Sequence, residues 1–146
     1  AQYILEGKYS GNPPTVNIAE ELKNIEFVRE CVSQNILSFA TDISSGGLAT
    51  SILTLMFANP EYIYPVKLNL NFPPELLFAE GGGCFLVTVA PQRLEQFDIF
   101  ANQSGISYHN IGEIDGENLN IEGLFTIPLE QLEKNYILRL YEVMER

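Results

Sequence analysis

The chain has 146 residues, 46% hydrophobic and 18% charged, a length and composition that fit one compact globular domain and leave no room for a second. Nineteen acids against eight bases give a formal charge of -11, with the bases scattered rather than clustered. That balance argues against nucleic acid and anionic membrane as partners, since both are bound through clustered Lys and Arg.

In chain order, the opening segment to Thr15 reads as extended chain and a turn, because Gly11, Asn12, Pro13 and Pro14 disfavour helix. Asn17 with Glu20 makes a capping box for a first helix, on which Ile18, Leu22, Ile25, Val28 and Val32 recur at spacings of three and four and are expected to face the core. Ile36 to Thr41 reads as a short buried strand. A second helix, apolar almost all round, is expected from Gly47 to Ala58, ending near Asn59 and Pro60. Ile63 to Asn71 alternates as a strand with one wet face, and Cys84 to Ala90 reads as a central strand covered on both faces.

Pro91 can open a third helix with Leu94, Phe97 and Ala101 on one face, and Gly105 separates it from a strand near Ile106 to Ile114. Asp115 and Gly116 then predict a tight hairpin back into Asn118 to Gly123. Pro128 leads a closing helix with Leu129, Leu132, Tyr136, Leu140 and Val143 as its stripe. Helices alternating with single strands and one late hairpin predict an α+β class, a mixed sheet layered with helices.

Two cysteines, Cys31 and Cys84, lack a CxxC spacing and read as core thiols of a reducing, cytoplasmic environment. No apolar run approaches the ~18 residues of a membrane span. Ala1 in first place, without a methionine, leads to the expectation of an excised or processed piece.

Chemistry concentrates at Asp42, Ser44, Ser45, Gly46 and Gly47, where a strand gives way to a helix start whose amides and dipole favour an anion such as phosphate. A helix cap and a plain turn explain the same residues. Glu80 followed by Gly81, Gly82 and Gly83 is a second glycine run, either a nest for phosphate or a loop that lets the next strand pack closely. His109 reads as a surface histidine. Asp42 with Glu80, Glu113 or Asp115 could hold magnesium, although no spacing demands it. No metal site and no catalytic residue is assigned.

Taken in order, five segments resemble the carboxy-terminal domain of the formylglycinamidine ribonucleotide synthase family, within the aminoimidazole ribonucleotide synthase superfamily. GNPPTV at Gly11 to Val16 resembles the family's G-x-PP-x-(L/V), DISSGGLA at Asp42 to Ala49 its DxSDGGLA, and FAEGGGCFLVTV at Phe78 to Val89 its FGESQSRFLVSV. IGEIDGENLNIE at Ile111 to Glu122 is similar to IGxVGGxxLxI, and PLEQL at Pro128 to Leu132 to P-L-x-x-L. The resemblance implies one domain over residues 1–146 of a cytoplasmic, ATP-dependent carbon–nitrogen ligase of purine biosynthesis. Such an enzyme turns a formamide into an amidine with glutamine-derived ammonia. ATP and magnesium would be bound mainly by other domains, and amino-terminal synthase domains would be the partners.

Within that resemblance Asp42, Ser44, Gly46, Gly47, Glu80, Gly81 and Gly82 are cleft-lining candidates of a piece inactive alone. Thr41 stands where the family has histidine, Ser45 where it has an acid, and Gly81 to Cys84 where it has S-Q-S-R. Those departures favour, as the alternative, a stand-alone binding or assembly module of the same fold. A homodimer through exposed apolar surface is the further expected partner.

Overall fold

The computed structural model describes residues 16–138. The opening extended segment, most of GNPPTV, and the closing stripe positions Leu140 and Val143 lie outside them. The chain divides into two compact units, one running to Leu55 and again over Glu75–His109, the other over Met56–Pro74 and from Asn110 onward.

Among the described residues the first element of the first unit is helix α1 (Ile18–Ser33), capped as its sequence predicts: Glu20 N–H donates to Asn17 Oδ1 at 3.3 Å and Asn17 Nδ2 to Glu20 Oε2 at 3.2 Å. Strand β1 (Leu37–Asp42) pairs antiparallel with β3 (Phe85–Val89), Leu37 opposite Val89 and Asp42 opposite Phe85. Helix α2 (Gly47–Met56) starts after β1, and a 3₁₀ turn (Pro74–Phe78) precedes β3. A 3₁₀ turn at Pro91–Arg93 leads into α3 (Leu94–Ser104), which stops at Gly105 in the left-handed conformation. Lys23 Nζ donates to the Gly105 carbonyl at 2.6 Å, a cation at a helix C-terminus.

The core of this unit is Phe27, Cys31, Ile36, Phe97 and Ala101, with Phe27 stacked on Phe100 at 5.1 Å and edge-on to Phe97 at 5.7 Å. The expected core stripe of α1 is therefore overturned. Ile18, Leu22, Ile25 and Val32 are exposed, Val28 alone of the five packs against the core, and the bulkier Phe27 enters the core on the side away from the exposed four. Strand β3 also departs from expectation: among the described residues it pairs along one edge only, Leu86 alone of its residues is buried, and Cys84 before it is exposed.

The second unit holds a four-stranded mixed sheet in the order β4 (Gly112–Glu113), β2 (Val66–Leu68), β5 (Asn118–Ile121), β6 (Phe125–Pro128). β2 and β5 run parallel, which places Leu119 beside Val66 and Ile121 beside Leu68, all four buried. The predicted Asp115–Gly116 hairpin is overturned by this pairing, because β4 and β5 flank β2 on opposite sides instead of joining each other. Burial of four aliphatic side chains outweighs a local turn preference. The observed hairpin is β5 with β6, around Glu122, Gly123 and Leu124.

The expected strand from Ile106 shrinks to two residues for a related reason. Ile106 N–H donates to Ala101 O, and Tyr108 packs edge-on against Phe97 while donating to Asp98 Oδ1 at 2.7 Å, so this segment folds back on α3. After β6 comes helix α4 (Leu129–Glu133), continuing as a π-helical turn (Lys134–Leu138) where Tyr136 stacks on Phe57 at 4.6 Å. The class is α+β, with sheets and, among the described residues, four helices.

Candidate functional site

Asp42 ends β1, and the next five residues turn the chain into α2. Gly46 and Gly47 take φ of 81° and 66°, a backbone that L side chains rarely adopt. Gly47 is also compelled by its neighbours: a Cβ there would lie 2.7 Å from the Leu77 carbonyl oxygen and 2.8 Å from that of Ala79. The 3₁₀ turn and the start of α2 are thus in direct backbone contact.

The two glycine runs, distant in sequence, form one edge of the first unit. Gly46 N–H donates to Glu80 Oε1 at 2.8 Å, and Ile43 N–H to the Cys84 carbonyl at 2.9 Å. A carboxylate against the first amides of α2 is favoured by the positive end of the helix dipole. Gly47 N–H is taken by Ser44 O at 2.9 Å. Two amides that sequence reasoning offers to a ligand are therefore hydrogen-bonded within the chain, one to a side-chain anion.

Of the candidate residues, Asp42, Ser44, Gly46, Gly47 and Glu80 are gathered here, and Gly81 and Gly82 continue from Glu80. Asp42, Ser44 and Glu80 are exposed and Gly47 is buried. Glu113 and Asp115 belong to the second unit, His109 makes no hydrogen bond or ion pair to this edge among the described residues, and no group of three His, Cys, Asp or Glu among them could hold a metal ion. Neither run contains Lys or Arg. The donor set present does not by itself make a magnesium or triphosphate site.

Three supporting residues escape sequence reasoning. Ser51, 4% exposed, has its Oγ 2.9 Å from the Asp42 carbonyl and 3.3 Å from that of Gly47; its single proton ties α2 back to the end of β1 or to its own preceding turn. Asn24 Nδ2 donates to Gly83 O at 2.9 Å, and Glu21 lies so close to Gly82 and Gly83 that a Cβ at Gly82 would sit 2.5 Å from Glu21 Oε1. No local pattern links α1 to a loop 59 residues away. Cys31, under this packing, is fully buried; burial, aided by Glu30, pushes its thiol up to about 11.

A strand-to-helix glycine turn braced by a second glycine loop, in an α+β frame, defines the class of domain. Residues 5–122 match the family described as AIR synthase related protein, C-terminal domain, and the chain belongs to that family. It is 32% identical over 128 residues to the phosphoribosylformylglycinamidine synthase subunit PurL of Bartonella tribocorum, and 32% over 138 residues to that of Helicobacter hepaticus. Those alignments take in 87% and 93% of this chain but only 17% and 18% of the relatives, so the chain spans less than a fifth of their length.

Among solved structures, Thermotoga maritima PurL complexed with FGAR superposes at a TM-score of 0.59 with 17% identity, over 77% of this chain and 20% of that one. T. maritima PurL complexed with ATP gives 0.59 at 20% identity, over 75% of this chain and 21% of that one. These likenesses establish the shared fold. Among the described residues no helix is long and apolar enough to cross a membrane.

Proposed function

We propose that the chain acts as the carboxy-terminal domain of an ATP-dependent phosphoribosylformylglycinamidine synthase of purine biosynthesis, walling a ligand cleft and inactive alone. The observation that carries this reading is the relatedness to PurL subunits over 87% and 93% of the chain, reaching across both glycine runs. In the complete enzyme ATP activates the formamide oxygen and glutamine-derived ammonia displaces it to give the amidine. Asp42, Ser44, Gly46, Gly47, Glu80, Gly81 and Gly82 then shape the cleft by backbone and carboxylate, while ATP and magnesium are held mainly by amino-terminal synthase domains.

A second reading, a stand-alone binding or assembly module of the same fold, is favoured by one feature: Glu80 holds the Gly46 amide, and no cation lies in either run. Exchange of the matching segment of Bartonella tribocorum PurL for this chain separates the two. Amidine formation by the chimaera, with no ATP hydrolysis by the chain alone, is expected from the first reading. A chimaera that is folded by circular dichroism but inactive favours the second, and ATP hydrolysis by the isolated chain would sink the claim of inactivity.

A further inference from the structure

Helix α1 carries two apolar faces, and the first unit uses one of them. Phe27 and Cys31 enter the core, whereas Ile18, Leu22, Ile25 and Val32 are 68%, 54%, 47% and 54% exposed. At ~100° per residue these four fall within about 80° of arc on the side opposite Phe27, in a stripe about 21 Å long. Arg29 falls in the same arc, and Glu21 borders it. Single exposed aliphatics need no explanation, but a continuous stripe on a helix already anchored from behind does.

We infer that this stripe is a self-association surface on which a second copy of the chain docks antiparallel, with Ile25 on the two-fold axis. The stripe is complementary to its own reversal. Across such an axis Ile18 faces Val32, Ile25 faces its own copy, and Glu21 faces Arg29, so the same patch serves both copies. Charge selects the direction. Arg29 makes no ion pair among the described residues, and the antiparallel arrangement gives each Arg29 the Glu21 carboxylate of the other copy at both ends of an apolar centre. A parallel arrangement sets Arg29 against Arg29.

Glu21 packs its Cα, Cβ and Cγ along Gly83 and rests its carboxylate over Gly82, from which that flexible group can swing toward a second copy. Covering four half-exposed aliphatics and the stems of Arg29 and Glu21 on each copy removes on the order of 1,000 Å² from water, the lower limit for a specific interface. The assembly is thus a weak dimer, opposed at low salt by the -11 charge of each copy.

Sedimentation equilibrium of the 146-residue chain across micromolar to millimolar concentration tests this. A monomer–dimer equilibrium is expected, weakened at least tenfold by Leu22→Glu. Arg29→Glu alone should weaken it severalfold, and Arg29→Glu with Glu21→Arg should restore it. Circular dichroism establishes that each variant is folded; these side chains are largely exposed, and the charge-swap rescue is itself evidence of a folded dimer. A strict monomer at millimolar concentration overturns the proposal, as does a dimer indifferent to Leu22→Glu. Loss with Leu22→Glu but no rescue by the double exchange overturns the antiparallel arrangement.

Discussion

Gly47 and Gly81 look alike in sequence, each inside a glycine run beside an apolar element, yet their surroundings differ in kind. Gly47 meets two backbone carbonyl oxygens and has a positive φ, while a Cβ on Gly81 would meet nothing within 4 Å. Gly82 stands between them, because what it would strike is the far end of the Glu21 side chain. The cost of a side chain at a glycine depends on whether the obstacle can move. A carbonyl locked in a turn cannot retreat without unmaking that turn, and a carboxylate can swing aside.

The sharpest test of that contrast is Gly47→Ala, which should cost roughly 2–4 kcal/mol by combining backbone strain with a collision against Leu77 and Ala79. Urea denaturation should show the midpoint falling at an unchanged slope. An unaltered midpoint would mean that the Pro74–Phe78 turn gives way easily, and the contrast would collapse.

Alkaline pH attacks the other region, through the helix on which Gly82 and Gly83 lean. The folded state raises the Cys31 thiol from 9.0 to about 11, by burial first and Glu30 second. A raised folded value means stability intact below pH 9 and lost as pH climbs from 9 to 11, up to roughly 2 kcal/mol. The pH dependence of the folding free energy should show this limb, and Cys31→Ala should flatten it. Tyr108, also raised, chiefly by its hydrogen bond to Asp98 and then by burial and the charge of Asp98, leaves a residual slope in that variant.

Glu80→Ala removes the carboxylate from the Gly46 amide and should cost about 0.5–1 kcal/mol, less at high salt because the site is exposed. Gly81→Ala is expected within about 0.5 kcal/mol of zero, or slightly stabilising by restricting the unfolded chain. Destabilisation by Gly81→Ala as large as that by Gly47→Ala would erase the distinction between the two runs.

Legibility from sequence followed the range of the forces involved. The α1 cap was visible because Asn17 and Glu20 are three residues apart and act within one turn. The end of α3 at Gly105 and the strand-to-helix turn at Asp42 to Gly47 were visible for the same reason. The core face of α1 was misread because two stripes share one helix, and periodicity cannot say which of them meets a partner. The Asp115–Gly116 hairpin failed because Val66 and Leu68, some fifty residues earlier, compete for the same strand.

By itself the sequence determined the α+β class, the family resemblance and the two glycine runs, since composition, hydrophobic period and local turn chemistry are written in neighbouring residues. Only the tertiary structure decided that Glu80 reaches the Gly46 amide, that Gly47 abuts carbonyl oxygens, and that Glu21 and Asn24 secure the second run. Each of those depends on an approach of a few ångströms between segments tens of residues apart. Such an approach is set by packing of the whole unit rather than by any local preference.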